Sequence, residues 1–168
     1  GRRSWNDYDR GISLMIVQVI SAFFAIIAFS VVNNVPKKFL FSCGVEGFVG
    51  WYVYLLFLSD TGPVMANFFG SLALAIMAHV FARTFKAPVT VFLIPGLLIL
   101  VPGAGLFRSA YQLFLGTKSM AAFYMLQTLE IAGMIALAVF VVDSVFSVIN
   151  KKRQDLEELL VEEKKERR

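Results

Sequence analysis

The sequence predicts an all-α fold, a polytopic membrane bundle of about five helices whose fourth span is discontinuous. Three observations predict it. Hydrophobic residues make up 58% of the 168 and charged residues 17%, against roughly 45–50% and about 25% in soluble domains. The apolar residues come in runs of about twenty without the charged face that a helix in water needs. The cations gather mostly at the ends of those runs, where anionic lipid and the membrane potential favour them. Mean hydropathy is +0.70. The length allows one domain, read as a transmembrane unit over residues 1–150 with a charged tail over 151–168, and leaves no room for a soluble catalytic domain.

The elements follow in order. Residues 1–10 are polar, with Trp5 and Tyr8 suited to an interface. Residues 12–32 form an apolar run of about 21 residues, beyond the usual core of a cleavable signal and long enough to cross a core of about 30 Å, so it reads as a true span. Asn33, Asn34 and Pro36 end it, and Lys37 and Lys38 mark a polar face. Residues 39–58 are the second span, and Ser59 to Gly62 a tight turn. Pro63 suits the first turn of the third helix, which runs to about Ala82 and is closed by Arg83 and Lys86. Residues 88–101 are apolar but short and contain Pro95-Gly96; Pro102-Gly103-Ala104-Gly105 follows, then a second short helix over 106–115. Two Pro-Gly pairs seven residues apart do not fit one unbroken helix, because proline lacks the backbone donor and clashes with the preceding turn. The expectation is a half-helix, a break at the PGAG segment, and another half-helix. Residues 119–148 form the last span, and the charged tail continues as a helix with a stripe of Leu156, Leu159 and Leu160.

Placing Lys37, Lys38, Arg83, Lys86 and the Lys151-Lys152-Arg153 cluster on one side fits five alternating spans. By the positive-inside rule that side is the cytoplasm, with the N-terminus outside; Arg2, Arg3, Arg10 and Lys118 count the other way. The expected location is the inner or plasma membrane.

Chemistry in such a chain is sought among ionisable groups inside the spans, because each is costly in hydrocarbon and usually faces a bundle interior or a wet cavity. Five qualify: Glu46, His79, Arg108, Glu130 and Asp143. Asp143 and His79 lie near span ends, within reach of headgroups; Glu130 lies near mid-span. Gly44, Gly47 and Gly50 surround Glu46, and Gly70, Ser71, Ala75, Ala78 and Ala82 line the third helix, a pattern of close helix approach. Glu46 reads either as a coupling carboxylate or as a buried partner of Arg108; Glu130 and His79 are the further coupling or buried-charge candidates.

The break is the sharpest feature. Transporters bind solutes where a helix unwinds near mid-membrane, because freed backbone groups coordinate there. The second half-helix would aim its N-terminal amides, from about Gly105 to Phe107, into the break, and a helix N-terminus attracts anions. This predicts a carboxylate site at Pro102, Gly103, Ala104 and Gly105 with Arg108 as cationic anchor and Tyr111 nearby. The alternative is a proline-kinked helix with Arg108 neutralised by Glu46 or Glu130. Other chemistry lacks its residues. His79 is the single histidine and Cys43 the single cysteine, so neither a metal site nor an intrachain disulfide is expected. No Gly-rich phosphate loop or nucleophile elbow occurs. No cofactor, metal, catalysis or nucleic-acid partner is expected.

Asn34-Val35-Pro36 after the first span, Cys43-Gly44 at the start of the second, and Ile94-Pro95-Gly96 leading into Val101-Pro102-Gly103 resemble the threonine/serine exporter family. More narrowly they resemble its short subunit, equivalent to the second membrane half of the fused exporters. The likeness runs from about Ile12 to Val148, and its most specific part is the double Pro-Gly motif. The resemblance implies secondary export of small metabolites, amino acids such as threonine and serine in one branch and dicarboxylates such as succinate in another. It also implies a larger membrane partner carrying the first half. Pro95, Gly96, Pro102 and Gly103 carry over from the motif; Arg108 matches no motif position. A second copy of the chain is the other expected partner, besides the lipid bilayer and the solute itself. The competing readings are a non-transporting membrane subunit that stabilises a partner, whose break would be filled with packed side chains, and a channel, which would need a continuous polar stripe.

Overall fold

A computed structural model describes the backbone of residues 2–167 and the side chains of residues 11, 13–155, 159 and 167. Trp5, Tyr8, Leu156 and Leu160 lie outside the described side chains. The described residues form five α-helices: α1 (Arg2–Val32), α2 (Leu40–Phe85), α3 (Thr90–Leu97), α4 (Gly103–Phe114) and α5 (Lys118–Glu166), with a short 3-10 turn at Lys37–Phe39. Helices are the economical answer to an apolar solvent, since each satisfies its own backbone polar groups. Three stretches are long and apolar enough to cross a membrane, Ser13–Val32, Lys37–Phe85 and Lys118–Asp155.

The second of these is 49 residues long because two antiparallel arms are joined through one residue. Gly62 alone leaves the helical region, at φ 77° and ψ 173°, a conformation open only to glycine. On either side of it the chain folds back: Phe57 stacks on Phe69 at 4.3 Å, Gly70 lies against Tyr54, and Gly50 against Leu74. The tight turn expected over Ser59 to Gly62 is thus narrower, with helix persisting through Thr61. Pro63 opens the second arm as expected, and its carbonyl accepts a hydrogen bond from Asn67 Nδ2 at 2.7 Å.

Three helix ends share one device. After α1, Val35 N–H bonds Ser30 C=O at 2.9 Å and Asn34 N–H bonds Val31 C=O at 3.1 Å, with Asn34 at φ 56°. The same double bond closes α2 around Lys86 (φ 50°) and α4 around Gly116 (φ 80°). This is the Schellman arrangement, which satisfies the last carbonyls with a left-handed residue. Pro36 and Pro88 then prevent the helix from continuing.

Packing follows the small residues. Gly44 sits against Phe23 and Ile27 of α1, and Gly47 against Ala22 and Ile26, so α1 runs antiparallel to the first arm of α2. The second arm lies beside α5, joined by His79–Asp143 and Arg83–Asn150 contacts of 2.6 Å each. Near Lys37, Lys38 and Lys86, Phe39 packs edge-on to Phe85 and Phe92 at 5.5 and 5.3 Å. This aromatic cluster anchors α3 to α2.

The chain leaves helix over 98–102, with Pro102 at φ −43° and ψ 47°. The break therefore ends on Pro102, the first residue of the PGAG segment, instead of centring on that segment. Gly103 begins α4, and the amides of Gly105 and Leu106 bond the Pro102 carbonyl at 3.1 and 3.3 Å. Those amides, expected to point freely into the break, are used in the first turn. Proline is favoured at a helix start, where its missing donor costs nothing, so Pro102 starts the following helix.

Candidate functional site

The break forms one wall of a cavity of about 430 Å³. Ile99 to Gly105 and Arg108 line it from the broken segment; Trp51, Tyr54, Pro63 and Asn67 from α2; Tyr124, Gln127, Thr128 and Ile131 from α5. Each element is held in place by its own local contact. Trp51 and Tyr54, three residues apart on the first arm, pair at 4.8 Å between ring centroids. Buried Ser109 donates to the Ala121 carbonyl at 2.9 Å, fixing α4 on α5 so that Arg108, its neighbour, turns to the cavity. Thr128 bonds its own helix at Tyr124 C=O, 2.7 Å away. The result is a concave site with an aromatic side, two carboxamides and one guanidinium, suited to a small polar solute.

Pro102, Gly103, Ala104, Gly105 and Arg108 are thus brought together. Among the described residues no ion pair joins Arg108 to a carboxylate; His79 is the group that meets one, Asp143. The alternative in which Glu46 or Glu130 neutralises the arginine does not match this arrangement. Tyr111 is not in the cavity wall; it is exposed and lies along Phe107 at 6.2 Å. Glu130 is exposed on α5 and outside the wall.

Glu46 has the opposite environment. Its relative exposure is 0%, and neither carboxyl oxygen has a hydrogen-bond partner. It rests against Gly96 of the first Pro-Gly pair, where an added Cβ would come within 2.8 Å of Oε1. An ionised carboxylate with no partner at such a place costs several kcal/mol, which is seldom tolerated without a use.

His79 sits elsewhere, at the Arg83 end. Its Nε2 meets Asp143 Oδ1 at 2.6 Å, its ring stacks on Phe146 at 4.3 Å, and Arg83 covers the same ring at 4.6 Å. With Asp143 52% exposed, the pair is a wet one of the kind worth about 0–1 kcal/mol. Asp143→Asn is therefore expected to lower stability in detergent by less than about 1 kcal/mol and to leave solute binding unchanged. A large loss on chemical unfolding would show that the α2–α5 contact depends on it.

Sequence reasoning missed Asn67, Gln127, Trp51, Tyr54, Tyr124 and Thr128. The available signal was two carboxamides, Asn67 and Gln127, inside apolar runs.

A family model described as Threonine/Serine exporter, ThrE, matches residues 18–145. The chain belongs to the threonine/serine exporter family. It is accordingly a membrane transporter of the threonine/serine exporter type. The match takes in the cavity, Glu46 and both Pro-Gly pairs of this exporter and omits the start of α1 and the charged end of α5. No curated protein and no solved structure matches the chain.

Proposed function

We propose that the chain is a subunit of a secondary exporter that carries a small carboxylate-bearing metabolite, serine or threonine or a dicarboxylate such as succinate, through the cavity at the broken helix. The observation that carries this reading is Arg108: an arginine without a carboxylate partner among the described residues, in the wall of a cavity built on unwound backbone. A guanidinium offers paired donors that match a carboxylate. Asn67, Gln127 and the hydroxyls of Tyr54, Tyr124 and Thr128 supply neutral contacts for an ammonium or hydroxyl group. A cavity of about 430 Å³ falls in the range of small-molecule sites. It favours transport over a purely structural subunit, whose break would be packed with side chains.

With the two arms of α2 counted separately and α3–α4 taken as one broken traverse, the chain crosses five times. The end bearing Lys37, Lys38, Arg83 and Lys86 then faces the cytoplasm. One such unit encloses the site incompletely, so a larger subunit of the same family, or a second copy, completes it. Uptake of labelled serine, threonine and succinate into everted vesicles tests the proposal, with this chain alone and with its partner. Transport of one of the three that requires both chains is the expected result. Failure of all three in an intact assembly would favour the structural subunit.

A further inference from the structure

Among the described residues, the buried side-chain atoms without a hydrogen-bond partner are Ser30 Oγ, both oxygens of Glu46, and Ser71 Oγ. They come from α1 and from both arms of α2, and they form a sequence in space. At one end, Ser71 is one helical turn from Asn67, which lines the solute cavity, and its neighbour Gly70 touches Leu100 of the break. One turn further, Leu74 reaches Gly96, and Gly96 rests on Glu46. One turn before Glu46 on the same arm lies buried Cys43, whose thiol donates to the Val91 carbonyl at 3.9 Å, and the Ser30 carbonyl accepts from Val35 N–H. Beyond them a second pocket of about 220 Å³ opens at the lysine-bearing end, lined by Asn33, Asn34, Thr90, Val91 and Pro95 among others. Pro95, in its wall, precedes the glycine that touches Glu46.

Buried polar atoms in native proteins are nearly always satisfied, and a cluster of unsatisfied ones points to water or an ion that occupies the space. We propose that these groups form a proton path, separate from the solute site, running from the pocket at Asn33 and Pro95 through Ser30, Glu46 and Ser71 to the cavity at the break. Glu46 is its one acid. Gly96 of α3 rests on it, Leu74 of the second arm reaches the same glycine, Cys43 lies one turn back on its own arm, and Ile26 of α1 packs on the neighbouring Gly47. None is charged, so a proton is the smallest partner able to neutralise the carboxylate in place. The step is balanced: one Glu46 oxygen accepts a proton from water on the cavity side and later gives it to water on the lysine-end side, with no other bond made or broken. Serine hydroxyls both donate and accept, which is what a relay through water requires.

The path rests on the exporter reading, so its test separates the two. In liposomes holding the exporter with its partner, two quantities are measured: solute accumulation driven by an imposed pH gradient, and exchange of labelled for unlabelled solute at equal pH. Glu46→Gln is expected to lower gradient-driven accumulation by about a hundredfold, as for a lost proton-transfer group, while exchange persists. Ser71→Ala and Ser30→Ala slow accumulation and leave exchange intact. Gradient-driven accumulation in Glu46→Gln equal to wild type overturns the path. If the wild type neither accumulates nor exchanges solute, the exporter reading fails, and infrared difference spectra decide the path alone. A pH-responsive carboxylic C=O band that disappears in Glu46→Gln supports it, and absence of such a band from the wild type overturns it.

Discussion

Arg108→Gln is expected to abolish carboxylate export while the protein still folds and assembles. The side chain has no carboxylate partner among the described residues, so its removal leaves no buried charge behind, the usual cause of collapse when one half of an ion pair is deleted. What is lost is the ligand contact. Hydrogen bonds to charged groups contribute about 1.5–3 kcal/mol, which corresponds to a drop of roughly ten- to more than a hundredfold in affinity. Glutamine keeps two donors without the charge. Arg108→Lys keeps the charge without the planar fork and should fall between the two. The check is initial export rate together with solute-dependent thermal stabilisation of the purified assembly. Wild-type export by Arg108→Gln would remove the arginine from the site.

Gly47→Ala should be the most damaging small substitution in the bundle. An added Cβ would fall on the Ile26 side chain, 2.9 Å from its Cβ, and 3.2 Å from the Ala22 carbonyl. Ile26 is fully buried and its β-carbon cannot swing aside, so α1 must move off α2. Overpacking of this kind costs about 1–3 kcal/mol. Gly133→Ala is the internal control, since nothing lies within 4 Å of its added Cβ, and in water the change would favour helix by up to about 1 kcal/mol. Unfolding of the two variants in mixed micelles should move in opposite directions, or leave Gly133→Ala unmoved. Equal stability of Gly47→Ala and wild type would mean that α1 and α2 do not approach as closely as described.

Much of this fold could be read from punctuation. Asn34 followed by Pro36, and Lys86 followed by Pro88, end helices where a left-handed residue and a ring forbid continuation. The hairpin within α2 was announced by Gly62-Pro63, though one glycine makes a turn that four residues were expected to share. The break was misplaced by a few residues for a specific reason. The rule that admits proline at a helix start was applied to Pro63 and not to Pro102, where the same rule puts Gly103, Ala104 and Gly105 inside α4.

The candidate site was legible only where it is charged. Arg108 and Glu46 stand out because ionisable groups are rare in apolar runs, but sequence could not tell that one faces a cavity and the other is buried between helices. Spacing put Tyr111 beside Arg108, three residues on. The cavity, however, meets only the first turns of α4, and Tyr111 turns to Phe107. Asn67 and Gln127 come from helices distant in sequence, and only packing shows that they converge.

The two recesses also bear on the electrical behaviour of the protein. Pro95 lines one and Ile99 the other, four residues apart across the end of α3 and the turn that follows it, or about 6 Å at a helical rise. With water in both, the insulating layer narrows locally from the roughly 30 Å of a bilayer core to that distance. The transmembrane voltage then falls mainly across it. A unit charge passing Glu46 would exchange about 2.3 kcal/mol with every 100 mV over little more than the length of one side chain.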